Sequence, residues 1–557
     1  MVKCIAGCSK GVKRRIAFTL LIITCMCLLS EGQDQSPVYY YRILFSDKGD
    51  KRISDFNPSD ILSSPAIRKR QKNKIAFPDF HDLPVYKGYL EKISSLGFTL
   101  HCKSKWMNSA LFTGTDPDQN GLLLSLGFVR DVKIVKKPLL KKHLSDKLFF
   151  ETYYSDFPPY DNPVEQVNGS VIQKAGFTGN GILIAVMDGG FTNAVNISSL
   201  NELRNRMGIK GTYDFVKKNS NVYDFNNHGT AVLSVLAGSA EGSLQGSAPG
   251  ADYLLLRTED TGSEFPAEED FWTAAAEYAD SCGADIITSS LGYFTFDDPS
   301  MSYKFSDMDG RSAFITRAAG IAASKGILVV NSAGNERGGI WNHIIAPADG
   351  DSVLAVGAVD GYGAISSFSS PGPSYDGRIK PDVVAQGVSV PVQTDTDISE
   401  RANGTSFSCP VISGLCACLM EAVPEASTGE ILSAVKTSSD RALNPDSDYG
   451  YGIPDIEKAF DELQEKYVKL PSGGTVAGPN PFSEHLNIYF KENPEWVSIK
   501  IFNISGIPVY SKNYGNYISR LIVIDDINYL SGGIYFLKIN TSHGSFNHKV
   551  FKVNRLP

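Results

Sequence analysis

The sequence predicts a doubly wound α/β domain in the middle of the chain, preceded by a small α+β unit and followed by a β-sandwich. Three observations carry this reading. From Pro163 to about Tyr467, short continuous apolar runs alternate with Ala-rich helical stretches. Continuous apolar runs mark strands covered on both faces, as in a parallel sheet layered between helices. Ahead of this region lie one aromatic, β-branched run and two helical patterns; behind it, short alternating runs recur at fairly even spacing. At 557 residues the chain is too long for one core.

Taken in order, residues 1–32 read as a secretory leader. Lys10, Lys13, Arg14 and Arg15 precede the apolar run 16–29, and small and polar residues follow at 30–32. That run is short for a bilayer span of roughly 20 residues; the other reading of it is an uncleaved anchor. No similar run follows, so no transmembrane domain is expected in the mature form. Residues 33–150 form the α+β unit and a basic linker. Within them 38–45 (VYYYRILF) is strand-like, 59–71 and 87–96 are helical, and 124–135 is extended. The stretch 133–147, with Lys136-Lys137 and Lys141-Lys142, reads as an exposed linker open to proteolysis, or otherwise as a solvated helix face.

Residues 151–468 carry the α/β domain. Its strands are expected near 182–187, 253–256, 284–287, 327–330, 353–356 and 383–384, with helices such as 271–279 and 315–324 between them. Residues 469–478, containing Leu470-Pro471-Ser472-Gly473-Gly474, are a linker by composition. In 479–557 the runs 486–490, 497–502, 521–524, 533–539 and 548–553 predict a small all-β sandwich.

Charge is split along the chain. Residues 1–150 hold 25 Lys and Arg against 13 Asp and Glu, a net +12; the remainder holds 28 against 48, a net −20. Opposite signs predict a basic N-terminal segment docking on an acidic body. The acidic body excludes nucleic acid as its partner, because phosphate would be repelled. Of nine cysteines, Cys4, Cys8, Cys25 and Cys27 fall in the leader, and no pair has the C-x2-C spacing of zinc ligands. The rest do not make a disulfide framework; buried small residues are expected, with a single bridge left open.

Three short motifs supply chemistry. Asp188 closes the run 182–187, at a strand end where open α/β sheets gather their functional groups. Asn227-His228-Gly229-Thr230 opens a helix of small, apolar residues. His228 and His343 are the only histidines between 161 and 460, and His343 has no such context. Gly404-Thr405-Ser406 feeds a helix running to about Ala422, so Ser406 lies at a helix N-terminus with free N–H groups. Each motif alone would be a turn, a packed histidine or an N-cap. Together they supply a nucleophile, a base and a group that orients the base. Asn335, in Asn331-Ser332-Ala333-Gly334-Asn335 after a strand, adds a side-chain donor for an oxyanion beside the Ser406 N–H.

The order Asp…His…Ser, with Ser289-Ser290-Leu291-Gly292 and Pro381-Asp382-Val383-Val384-Ala385, resembles the subtilisin-like (S8, subtilase) serine peptidases over most of 163–467. The resemblance implies a subtilisin-like catalytic domain with Asp188, His228 and Ser406 as its triad and Asn335 as oxyanion donor. It also implies that Ser290, Leu291 and Gly292 pair with substrate backbone, favouring extended peptides. Two departures bear on the pocket: Phe407-Ser408-Cys409-Pro410 follows the serine, where smaller residues or Met are usual, and Tyr293 stands where many members have a second Gly. Cys409 is expected to pack inside. The segment 38–135 is similar to the propeptide of secreted Bacteroidetes subtilases. The tail, with Pro479-Asn480-Pro481-Phe482, Ile504-Ser505-Gly506 and Leu530-Ser531-Gly532-Gly533-Ile534-Tyr535-Phe536, resembles their type IX secretion sorting domain.

These resemblances imply a secreted or surface-attached serine endopeptidase made as a zymogen. Its partners would be protein or peptide substrates, its own propeptide and the type IX secretion machinery. No cofactor is needed for the chemistry. Structural calcium is common in the family, but no D-x-[DN]-x-[DN]-G loop fixes its ligands here, so the metal site stays open. Two other classes fit the same fold: a catalytically inactive interaction protein, and a surface adhesin that binds through the C-terminal β domain.

Overall fold

The computed structural model describes residues 37–138, 148, 150, 152–153, 162–240, 244–394, 399–467, 474–478, 480–483, 485–515 and 520–553. The leader at 1–32, residues 139–147 of the basic linker and residues 469–473 of the 469–478 linker lie outside them.

The N-terminal unit is a four-stranded antiparallel sheet of β1 (Tyr39–Phe45), β2 (Thr99–Ser104), β3 (Ser109–Gly114) and β4 (Val129–Lys136), in the order β2-β3-β1-β4. Helices α1 (Ser64–Lys72) and α2 (Lys87–Ser94) accompany it. Alternate residues Tyr41, Ile43 and Phe45 enter a core shared with Ile93, Phe112 and Val132. Periodicity gives no sign of the β2–β3 hairpin, because His101 and Lys103 interrupt its apolar residues. The extended stretch expected at 124–135 begins only at Val129, since Asn120–Leu124 is a helical turn.

The central sheet has seven strands, all parallel: β5 (Leu183–Asp188), β6 (Ile209–Asp214), β7 (Asp252–Arg257), β8 (Ile286–Ser289), β9 (Leu328–Ser332), β10 (Val353–Val359) and β11 (Val383–Gln386). Their order is β11-β10-β9-β8-β5-β7-β6. The first strand of the domain therefore lies between its third and fourth, and the winding reverses beside β5. Along β5, Ile184 and Val186 point into one core and Ala185 and Met187 into the other. This two-sided burial is why the strands read as continuous apolar runs. Helices α3 (His228–Ala237) and α6 (Thr405–Ala422) cover the first face, α4 (Ala267–Cys282) and α5 (Phe314–Ser324) the second. Helix α6 matches a membrane span in length and hydropathy, yet 83% of it is buried inside the protein, as the domain's core helix.

The N-terminal unit docks on the α4–α5 face, where its Trp106, Met107, Leu111 and Val135 join the second core. Around this apolar centre its cations meet carboxylates of the body. Arg42 pairs with Glu269 and Asp270, Arg70 with Asp280, Lys136 with Asp260 and Lys137 with Asp298. Glu277 accepts hydrogen bonds from Ser104 Oγ at 2.6 Å and Trp106 N–H at 3.0 Å. The opposite charges of the two halves thus meet at one interface.

The C-terminal unit stacks a three-stranded antiparallel sheet (Thr475–Gly478, Leu486–Phe490, Leu521–Ile524) on a four-stranded one (Trp496–Asn503, Pro508–Gly515, Gly533–Thr541, Gly544–Lys552). Ile488, Ile499, Leu537 and Val550 meet in its core. This is the expected sandwich.

Candidate active site

Asp188 ends β5 at the point where the strand order reverses, the place where crevices of open α/β sheets form. It is fully buried, and one carboxylate oxygen accepts the Gly189 N–H at 2.7 Å. His228 is the first residue of α3, its N–H held by Asn226 Oδ1 at 2.6 Å. Its Nδ1 lies 2.9 Å from both Asp188 carboxylate oxygens. An ionised carboxylate only accepts, so Nδ1 carries the proton and Nε2 is left as the acceptor. Gly229 makes this approach possible. A β-carbon there would fall 2.4 Å from Gly190 O and 2.9 Å from Asp188 Cβ, so any side chain would push α3 off the strand end.

Ser406 is the second residue of α6. Gly404, at φ +149°, supplies a backbone turn into the helix that L side chains rarely adopt. Ser406 and Ser290 are tied reciprocally: Ser290 Oγ donates to Ser406 O at 2.9 Å, and Ser406 Oγ donates to Ser290 O at 3.5 Å. Asn335 is pinned from one side, because its Oδ1 accepts both Thr405 N–H and Thr405 Oγ at 3.0 Å. A backbone N–H needs an oxygen partner, which fixes the amide orientation and leaves the NH2 group for another acceptor. Leu291 O is taken by Asn331 Nδ2 at 2.8 Å, while Ser290 and Gly292 line the cleft on either side of it.

His228, Ser406, Asn335 and Ser290-Leu291-Gly292 thus line one cleft of about 550 Å³, with Asp188 buried behind the histidine. His343 is elsewhere, stacked on Phe305 with ring centroids 3.7 Å apart. The cleft also holds residues that the sequence did not point to: Glu264, Glu336, Leu148 and Phe150. Burial pushes the Glu336 carboxyl up from its ordinary range. Among the described residues Cys102, Cys282, Cys409, Cys416 and Cys418 are all free thiols, so the open question of a bridge resolves against one among them. Cys409 is fully buried and no rival nucleophile.

The carboxylates of Glu259, Glu264 and Glu268 bring oxygens within 4.8 Å of one another. They are already in use. Glu268 accepts the N–H groups of Asp260 at 2.7 Å and Phe265 at 3.1 Å, and Glu259 accepts from the Tyr293 hydroxyl. The donor set fits a helix cap and a buried tyrosine better than a calcium site, which takes six to eight free oxygens.

Residues 179–452 match the Subtilase family, peptidase S8. The central domain belongs to that family. Residues 40–148 match the peptidase S8 propeptide domain of Bacteroidota, and 478–553 the secretion system C-terminal sorting domain. The chain is 29% identical over 304 residues to subtilisin DY of Bacillus licheniformis, covering 54% of this chain and 98% of that protein. It is 28% identical over 337 residues to subtilisin E of Bacillus subtilis, covering 59% and 78%. The crystal structure of the epidermin leader peptide processing serine protease of Staphylococcus aureus superposes with a TM-score of 0.53 at 17% identity, over 76% of this chain and 99% of that one, a likeness of fold. This subtilase is therefore a secreted serine endopeptidase made as a zymogen, and its sorting domain directs it to release or to the cell surface. Subtilases generally need no cofactor for catalysis.

Proposed function

We propose that Asp188, His228 and Ser406 are the catalytic triad of this endopeptidase and that Asn335 and the Ser406 N–H form its oxyanion hole. The observation that carries the assignment is His228 Nδ1 bridging both Asp188 oxygens at 2.9 Å, on the same cleft as Ser406 and Asn335. The His228 Nε2 then takes the Ser406 hydroxyl proton as Oγ bonds to the peptide carbonyl carbon. Asp188 holds the tautomer and stabilises the imidazolium. Charge that develops on the carbonyl oxygen meets the Asn335 NH2 and the helix N-terminal N–H of Ser406. His228 returns the proton to the amide nitrogen, the C–N bond breaks, and water repeats the sequence on the acyl-enzyme.

Ser290, Leu291 and Gly292 hold substrate as an added strand, which favours extended peptides. Residues 1–32 are the leader and 33–150 the propeptide with its linker. Leu148 and Phe150 in the cleft support a processing point close to the end of that segment. The catalytic domain, 151–468, is joined by the linker 469–478 to the sorting domain, 479–557, read by the type IX machinery. The Glu259, Glu264 and Glu268 carboxylates serve as cap and tyrosine acceptors, so the ligands of a structural calcium would come from irregular loops.

The test is the full chain with wild-type Ser406 and with Ser406→Ala, followed by intact mass over time and by fluorophosphonate labelling. Loss of an N-terminal fragment of about 100 residues in wild type only, with label on Ser406, is the expected result. Cleavage in both variants would assign processing to other proteases. An intact, unlabelled chain would make this an inactive relative.

A further inference from the structure

Phe150 is the part of the cleft that the triad does not use. Its ring stands edge-on to His228, centroids 5.5 Å apart at 76°, and to Phe407, 5.3 Å apart at 62°. The His228 and Phe407 rings are themselves 6.0 Å apart, so the three close into a triangle. Phe407 immediately follows Ser406 on the first turn of α6 and is 1% exposed beneath Phe150. Edge-on contacts of this kind are oriented by the ring quadrupole and discriminate aromatic from aliphatic side chains beyond their area.

The direction of the chain through the cleft says which side of the reaction this is. Two residues before Phe150, Leu148 sits beyond the Asp188 end of β5; a β-carbon on Gly189 would fall 2.4 Å from Leu148 Cδ1. Two and three residues after it, Thr152 and Tyr153 pair antiparallel with Ala402 and Arg401, on the strand that leads into the Ser406 loop. The described residues therefore run from Leu148 beside Gly189, through Phe150 in the cleft that Ser406 lines, to Thr152 and Tyr153 along Glu400–Ala402, which puts Phe150 towards the exit strand.

We infer that His228 and Phe407 form an aromatic seat for the first side chain of the leaving fragment, so that this enzyme selects peptides with an aromatic residue directly after the cut, and that Phe150 is its occupant in the zymogen. The inference rests on the assignment of Ser406 and His228 above. In the step it describes, Ser406 Oγ bonds to the carbonyl carbon preceding the aromatic residue. The C–N bond breaks, and the nitrogen leaves as that residue's α-amine with the proton from His228. The substrates this implies form a chemical class: extended peptides with Phe, Tyr or Trp as the new N-terminus.

The experiment uses the self-processed enzyme from the full chain and three internally quenched peptides that differ only in the residue after the cut: Phe, Leu or Ala. The expected kcat/KM is about tenfold or more in favour of Phe over Ala, with Leu between them. The preference resides mainly in KM, because the ring is held equally before and during reaction. Phe407→Leu brings Phe and Leu peptides level, and Phe407→Tyr keeps the preference. A wild-type enzyme that cuts the Phe and Ala peptides equally, or a Phe407→Leu enzyme with an unchanged ratio, overturns the inference. If Phe407→Leu does not fold, the wild-type ratio and Phe407→Tyr decide. Failure to cut any of the three, with Ser406 unlabelled, would instead overturn the site assignment.

Discussion

Arg42 is the sharpest test of how the propeptide is held. Its Nε donates to Asp270 at 2.8 Å and its Nη2 to Pro266 O at 2.6 Å and Glu269 at 3.1 Å. The guanidinium also lies 3.7 Å over the Phe314 ring. The three charged side chains are 6%, 0% and 5% exposed, so neither carboxylate has water to fall back on. Arg42→Met keeps much of the packing and removes the charge. Taking one partner from a buried pair costs ~3–5 kcal/mol, most of it the stranded charge left behind. Glu269 retains the Tyr303 hydroxyl at 2.5 Å and the Ile315 N–H at 3.3 Å, so Asp270 bears the larger loss. At ~1.4 kcal/mol per factor of ten, the cut propeptide should dissociate between about 100 and several thousand times faster. The assay is the lag between propeptide cleavage and the appearance of peptidase activity, with size-exclusion chromatography of the cut complex. Arg42→Met should shorten the lag and separate the two fragments, and adding Asp270→Asn should restore part of the retention. An unchanged lag, or a further loss in the double variant, would refute the reasoning.

Three further outcomes follow from the same geometry. Asn335→Leu should lower kcat by ~10²–10³ with little change in KM, the loss expected for one oxyanion donor; an equal rise in KM would place Asn335 in ground-state binding instead. Burial pushes the Cys409 thiol up to about 11 and the Cys416 thiol up to about 12, so both should resist a disulfide reagent in the native zymogen and react on unfolding. Rapid labelling of either under native conditions would contradict that. Burial raises the Glu430 carboxyl, but Lys466, Tyr467 and Ser427 donate to it and bring it down to about 2. A folded-state value below the unfolded ~4.3 stabilises above that pH and is lost as pH falls toward 2. Glu430→Gln should therefore lower the Tm at pH 6 by a modest amount, since the side chain is partly exposed, and the gap should close by about pH 2. A gap that persists at pH 2 would refute the assignment.

What could be read in the sequence is what lies inside the sheet or on its rim in a fixed order. β5, β7, β8, β9 and β10 are covered on both faces, and their apolar runs are unbroken. β6 is an edge strand, Ile209-Lys210-Gly211-Thr212-Tyr213-Asp214, paired only with β7, and its polar residues hide it from any search for apolar runs. Asp188, His228, Ser406 and Asn335 were legible because each closes or opens an element at the same end of the sheet. Phe150, Leu148, Glu264 and Glu336 reach the cleft from segments whose position depends on long-range docking, and nothing local marks them. The charge split forecast that the two halves would meet. It did not reveal that Glu269, Asp270, Glu277 and Asp280 lie along one helix, although Glu277 stands eight and seven residues after Glu269 and Asp270 and three before Asp280, which is helical spacing.

That arrangement has an energetic logic. Apolar residues Trp106 and Met107 form the centre of the propeptide contact, and ion pairs surround it. Buried ion pairs contribute less affinity than an apolar surface of the same size, because desolvation offsets most of their attraction, but they penalise a misdocked partner heavily. A propeptide held this way is specific without being permanent. While it is covalently tethered, its effective concentration is in the millimolar range, and modest intrinsic affinity keeps Phe150 on His228 and Phe407. Once the chain is cut that advantage is gone, and retention depends on the ion pairs alone with their apolar centre. Inhibition and release then need no conformational switch: the same contacts serve both, and the cut itself changes which one prevails.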